Sequence, residues 1–565
     1  MKSSITTIVW TLLVMIAGAC GGSDGGAPAS APTAVSASPA AGESPAGGTS
    51  AANGACVAVP ATGPGTVATR YGTVRGHTAG GTWAFQGIPF AAPPTGALRW
   101  RPPVTPECWA GVREAAAFPP PCLQMNPTRG VIGSEDCLYL NIWTPSSATP
   151  ESLPVMVFIH GGGNMSGSTS EMPVPGVPTY DGQALAERGN VVVVTVQYRL
   201  NTFGYFVHPA LDSESPAGTS GNYGLMDQLA ALRWVQDTIR AFGGDPARVI
   251  LFGESGGATD VCALYASPLA AGLFRAALVE SGGCGGLPKS QVQEWSAKTV
   301  AKTSCAAAPE VLTCLRALDG ASLVKAMDST TVDQNGRVVT PTGPTIDGDV
   351  LPDSPLALMS RGQQSHVPFI VGTNASETAS PIFRLPATVS AAQYEQFVRN
   401  LFPSQANQVL AEYPLADYPS GRDALVAVTT DFQFTCPART YARAAASNQS
   451  EPVYRYFYTQ VMQGGAAQTA AIGATHGYEL FFVFQHLQAL PTYRPTASDT
   501  ALEAAMLGFW TSLAAAGEPN AAGGSVAWPA YDTKTDSYID LGTPVVAGAG
   551  VRTAKCDFWD ALRGR

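Results

Sequence analysis

The chain has 565 residues, of which 45% are hydrophobic and 13% charged, enough apolar content for a large core and too little charge for a disordered polymer. Lys and Arg number 32 against 42 Asp and Glu, a net charge of −10, which argues against nucleic acid or an anionic membrane as a partner held by a basic surface.

Residues 1–19 have the pattern of an export signal. Lys2 is followed by an apolar run at 8–16, too short to span a bilayer, and then by Ala17-Gly18-Ala19-Cys20. Two readings are open. Ala-x-Ala suits an ordinary signal peptidase, and small residues before Cys20 resemble a bacterial lipobox that would lipidate that cysteine, although Leu is usual where Ala17 stands. There are 11 cysteines, so a lipidated Cys20 would leave an even number for pairing. Gly21 after Cys20, rather than Asp, favours the outer membrane if the cell is Gram-negative. Residues 20–55 are nearly all Gly, Ala, Ser and Pro and read as a flexible tether, leaving one domain over 56–565.

Within that domain, short apolar runs at 155–159, 191–196, 249–252, 276–279 and 369–371 predict buried strands. A helix is predicted over 226–242, between the second and third of them. Apolar strands alternating with helices imply an α/β fold with a large, mostly parallel central sheet covered by helices on both faces. Ligands of such sheets bind beyond the carboxyl ends of the strands, so the residues after each run are the ones to inspect.

After Phe252 comes Gly253-Glu254-Ser255-Gly256-Gly257, a G-x-S-x-G elbow between a predicted strand and helix. The pentapeptide is weak evidence alone. With 60 glycines in the chain, about 0.5 matches arise by chance, and Gly21-Gly22-Ser23-Asp24-Gly25 is such a match with no strand before it. After Ile159 stand His160-Gly161-Gly162-Gly163, whose backbone N–H groups could meet a developing oxyanion. A glycine run followed about 90 residues later by an elbow is a lipase/esterase signature.

A serine nucleophile needs a base, and the chain order of this arrangement is Ser, acid, His. His366, His476 and His486 follow Ser255. His366 precedes its strand, at the wrong end, His486 lies in a hydrophobic run, and His476 lies beyond the apolar strand 453–458. For the acid, Glu377 follows the run 369–371, with Asp347, Asp349 and Asp353 as alternatives. No C-x-x-C pair or H-E-x-x-H helix suggests a metal, and no cofactor is expected.

From about Tyr71 to the C-terminus the sequence resembles the type-B carboxylesterases, which include cholinesterases, some fungal lipases and neuroligins. The resemblance rests on Phe85-Gln86-Gly87-Ile88-Pro89-Phe90-Ala91, Pro93-Pro94, Arg99-Trp100, Ser134-Glu135-Asp136-Cys137-Leu138-Tyr139-Leu140-Asn141, Gly221 to Gln228 and Phe242-Gly243-Gly244-Asp245-Pro246. It implies an α/β-hydrolase fold and a serine carboxylesterase acting through an acyl-enzyme on a small-molecule ester. It also implies the triad Ser255, Glu377 and His476, the acid coming from a G-x-N-x-x-E loop and the base from an H-G-x-E segment. The amides of Gly162, Gly163 and Gly256 are the implied oxyanion donors. Disulfides are implied at Cys122–Cys137, Cys305–Cys314 and Cys436–Cys556, which need an oxidising compartment. Cys56–Cys108 and Cys262–Cys284 remain by elimination, with a buried free thiol as the alternative for Cys262.

Three positions depart from the family pattern. Gly256 stands where Ala commonly follows the nucleophile, Thr378 stands where Gly usually follows the acid, and Asn164 stands where an aromatic residue is common. Asn164 reads either as a polar rim for a substrate with hydrogen-bonding groups or as a loop-shaping residue. Glu254 is a candidate to support the histidine or a purely structural residue. The segment between Cys122 and Cys137 holds no Trp, which argues against a choline ester. A silent binding or adhesion module on the same fold, a long-chain lipase and an acyltransferase are the rival readings, and oligomeric state is not legible.

Overall fold

The apolar runs are strands of one sheet. The computed structural model describes residues 61–147, 152–171, 178–327, 342–465, 472–520 and 526–564, with the backbone of 331–332 and 338–339. Among the described residues eleven strands join side by side. In chain order they are β1 (His77–Ala79), β2 (Thr82–Pro89), β3 (Tyr139–Pro145), β4 (Leu153–Ile159), β5 (Val192–Val196), β6 (Gly244–Glu254), β7 (Ala276–Glu280), β8 (Phe369–Asn374), β9 (Val453–Tyr458), β10 (Ser537–Leu541) and β11 (Val546–Ala549). Their spatial order is β11-β10-β9-β8-β7-β6-β4-β5-β3-β2-β1. The block from β10 across to β5 is parallel, and antiparallel strands finish both edges.

Six helices bear on the argument: α1 (Tyr223–Thr238), α2 (Gly256–Ala266), α3 (Gly421–Thr430), α4 (Cys436–Asn448), α5 (Ala497–Ala516) and α6 (Thr553–Leu562). Successive strand residues point to opposite faces, and here both faces are covered, so β4 is apolar at every position. Val155, Val157 and Ile159 of β4 pack with Leu225, Leu229 and Leu232 of α1 and Val261 of α2. Met156 and Phe158 pack on the other face with Leu502, Met506 and Trp510 of α5. Helix α1 begins three residues earlier than predicted and passes into a 3₁₀ turn at Ile239–Phe242. The Asn222 side chain before it is bonded to the backbone of Thr345, which pins the start of the helix.

From β4 the chain builds β5 on one side, then crosses to build β6 on the other. The strand order therefore reverses at β4. In register, Gly253 of β6 lies beside Ile159 of β4, Glu254 beside Glu280 of β7, and Glu280 beside Gly372 of β8. The carboxyl ends of β4, β6, β7 and β8 thus finish at a common level, where a site at a switch point is expected.

Disulfides join Cys122 to Cys137, Cys262 to Cys284, Cys305 to Cys314 and Cys436 to Cys556. Cys262 is therefore paired rather than a free thiol. Cys108 is disulfide-bonded. Its expected partner Cys56 lies outside the described residues, as do the signal segment, Cys20 and the tether.

Candidate active site

Ser255 is the N-cap of α2, at φ 56° and ψ −119°. A side chain rarely adopts positive φ, and the turn between β6 and α2 is tight enough to require it. The flanking glycines follow from crowding. A Cβ on Gly253 would meet the carbonyl oxygen of Ile159 at 2.8 Å, and one on Gly257 would meet that of His160 at 2.6 Å. The Ser255 amide donates to the Glu280 carbonyl at 2.9 Å, tying the elbow to β7.

The glycine loop after β4 faces the elbow. Gly162 and Gly163 have φ of 102° and 61°. A Cβ on Gly162 would run into the carbonyl of Ser166, and one on Gly161 would lie 3.0 Å from the Ser255 Cβ. His160, which opens the loop, is wholly buried, and burial pushes its imidazole down to about 4. It stacks on Tyr198 at 4.5 Å while the Tyr198 hydroxyl donates to the His160 carbonyl, so it acts as a neutral brace. The amides of Gly162, Gly163 and Gly256 donate to no acceptor among the described residues. Unpaired donors converging beside a serine are what an oxyanion requires.

Glu377 and His476 come from loops after β8 and β9. Glu377 accepts from the Asn374 amide at 2.8 Å through one carboxylate oxygen and lies 2.6 Å from His476 Nδ1 through the other. The Asn374 side chain donates to the Thr475 carbonyl at 2.8 Å, fastening the two loops together. Thr378 is used rather than merely tolerated: its hydroxyl bonds Thr429 at 2.6 Å, anchoring the Glu377 loop to α3. The remaining imidazole nitrogen, Nε2, lies 3.1 Å from Glu254 Oε1. Neither the Ser255 hydroxyl nor His476 Nε2 makes a hydrogen bond among the described residues. Burial alone lowers a histidine pKa, but Glu254 and Glu377 outweigh it and push His476 up to about 9. Burial pushes Glu254 up to about 7. Behind them, Glu479 is also buried and pushed up to about 8, with Asn374 and Ser281 as donors.

The alternative residues lie elsewhere. The His366 side chain is 49% exposed and bonds the Gly362 carbonyl. His486 packs against Phe484, its pKa lowered by burial. Asp347 accepts the amides of Asp349 and Leu351 in its own turn, and Asp353 holds the Ser354 amide and Arg361. Asn164 is 2% exposed and turned inward, its amide donating to Asp260 at 2.9 Å. It shapes the loop and offers substrate no polar rim.

Two residues not anticipated are Phe383 and Phe434, whose rings each lie 5.3 Å from the His476 ring. They wall the imidazole in apolar surface, and neither belongs to a motif that could have flagged it.

Residues 64–559 match the Carboxylesterase family model. The chain is 36% identical to the fumonisin B1 esterase of Sphingopyxis macrogoltabida, over 86% of this chain and 87% of that one. It is 33% identical to the para-nitrobenzyl esterase of Bacillus subtilis (85% and 95%) and 32% identical to the acetylcholinesterase of Bungarus fasciatus (89% and 88%). A solved PNB esterase structure superposes with a TM-score of 0.74 at 33% identity, covering 87% of this chain and 99% of that one. The fold is thus that of the α/β-hydrolases, and the protein belongs to the carboxylesterase family, as a carboxylic ester hydrolase acting on small-molecule esters.

Proposed function

We propose that ester hydrolysis proceeds by two-step acyl transfer with Ser255 as nucleophile, His476 as general base and acid, and Glu377 as the residue that orients the imidazole. The observation that carries this reading is the 2.6 Å contact between Glu377 and His476 Nδ1, set beside a serine on a strained strand-to-helix turn. Deprotonated His476 takes the Ser255 proton as the hydroxyl oxygen attacks the ester carbonyl. The carbonyl oxygen gains charge and is held by the amides of Gly162, Gly163 and Gly256. His476 then protonates the leaving alcohol, and water attacks the acyl-serine with the roles reversed. Glu377 accepts a hydrogen bond from Nδ1–H throughout and stabilises the cation. Phe383 and Phe434 keep water from the imidazole edge.

The chemistry is tested by trapping. A diethyl phosphoryl ester such as paraoxon should inactivate the enzyme with one phosphoryl group on the peptide bearing Ser255, read by mass spectrometry. Modification elsewhere, or inactivation without a covalent adduct, contradicts the assignment. Initial rates on p-nitrophenyl acetate, butyrate and palmitate separate a short-chain esterase from a long-chain lipase. The missing Trp between Cys122 and Cys137 supports a neutral ester over a choline ester.

The protein is further proposed to be exported and lipid-anchored through Cys20, with residues 20–55 holding the domain off the membrane. Support comes from the Ala-Gly-Ala-Cys stretch, the tether composition and the disulfides, which need an oxidising compartment. Mass analysis of the N-terminal peptide from native cells should show a lipidated Cys20. A free cysteine there overturns the anchor.

A further inference from the structure

The oxyanion loop is held from beneath by a buried carboxylate that belongs to none of the motifs described. Gly256, Gly257 and Asp260 occupy the first turns of α2, and all three face the loop. Carbon at Gly256 Cβ would lie 2.6 Å from the Gly163 nitrogen and 3.0 Å from the Asn164 nitrogen, so the loop is drawn in to where only glycine fits. One turn along, Asp260 Oδ1 accepts from Asn164 Nδ2 at 2.9 Å. Its other oxygen accepts from Tyr205 Oη at 3.2 Å and from Gln228 Nε2 of α1 at 2.5 Å.

Asp260 and Asn164 are both buried, with Asp260 wholly enclosed. Burial pushes the Asp260 carboxyl up to about 7, partly offset by its three donors. A buried carboxyl with no cation bonded to it among the described residues is costly, and its upkeep calls for a role that a smaller residue would not fill. Asn164 sits at φ 59°, a region Asn tolerates better than most side chains, and its carbonyl accepts the Asn201 amide at 2.7 Å. The residue directly after Gly163 is thus gripped through both its side chain and its backbone.

We propose that Asp260, acting through Asn164, is a positioning residue that sets the Gly162 and Gly163 amides at oxyanion distance, with Gly256 supplying the clearance. The inference rests on the assignment of those amides as oxyanion donors. An oxyanion interaction is strongly distance-dependent, and a misplacement of about 1 Å can cost on the order of a hundredfold in rate. The role should therefore show in turnover and not in substrate affinity.

The test is a double-mutant cycle of Asn164→Ala, Asp260→Ala and the double variant, assayed with p-nitrophenyl butyrate and with a trifluoromethyl ketone whose hemiketal with Ser255 mimics the tetrahedral oxyanion. Thermal unfolding shows which variants are folded. Each single variant should lower kcat about tenfold or more with KM within about twofold, and weaken the ketone by a similar factor. The double variant should be no worse than the poorer single one, since both remove one hydrogen bond. If Asp260→Ala fails to fold, Asn164→Ala decides alone. Turnover and ketone affinity of Asn164→Ala within twofold of the parent overturn the proposal, as do losses that multiply in the double variant. A parent whose turnover survives Ser255→Ala would instead overturn the mechanism on which it rests, so the two failures are distinct.

Discussion

Glu254 and Glu377 flank the His476 imidazole, Glu254 at 3.1 Å from Nε2 and Glu377 at 2.6 Å from Nδ1. Two carboxylates around one buried ring favour its cation, which explains why His476 is raised despite burial. In the proposed mechanism the base is the neutral ring, so the same arrangement that stabilises the imidazolium formed during attack withholds the base at low pH.

The acidic limb of the kcat/KM profile should therefore fall above the ordinary histidine range. Glu254→Gln removes one of the two charges. Its limb should move to lower pH by about 1 pH unit or more, so the fraction of full activity retained at pH 6 rises. A pH–rate profile of both proteins checks this, and an unmoved limb would mean that Glu254 is electrostatically silent toward the ring.

Gly257 is a steric necessity. A methyl group there meets two backbone carbonyls, those of Ile159 and His160, and neither can swing aside as a side chain would. Gly257→Ala should destabilise the fold by about 2–3 kcal/mol and displace the elbow, lowering turnover as well. Urea unfolding at matched pH measures the first effect; a loss below about 0.5 kcal/mol would show that the elbow yields easily.

The Cys436–Cys556 bridge spans 120 residues and joins α4 to α6. Arg439 of α4, whose side chain is fully buried, bonds Asp557 and Asp560 of α6 at 2.7 Å each. Because the bridge closes a long loop, replacing both cysteines by Ala should cost about 2–5 kcal/mol and lower Tm by several degrees. The site lies outside this helix pair, so kcat of the folded variant should stay within about twofold. Calorimetry and initial rates together check both halves.

Much of the fold could be read from local chemistry. Runs such as 155–159 are apolar at every position because β4 is covered on both faces, and that pattern survives in sequence without knowledge of neighbours. Gly253 and Gly257 are legible for a steric reason: each sits where backbone from β4 passes too close for a Cβ. The choice among His366, His476 and His486 was less accessible from spacing, since it depends on which loop returns to the end of β8. Asn164 left two readings open because its direction is set by Asp260, which lies 96 positions away. Phe383 and Phe434 were illegible for the same reason: only tertiary packing brings them to the ring.

The central claim, that Ser255 carries the acyl group, is tested most directly by p-nitrophenyl butyrate hydrolysis by the parent and by Ser255→Ala. In subtilisin, loss of the nucleophile costs about a millionfold in turnover. The account predicts rapid hydrolysis by the parent and a folded variant at or near the background rate. A folded Ser255→Ala protein that keeps more than about one per cent of parental turnover would contradict it, and the nucleophile would have to be sought elsewhere.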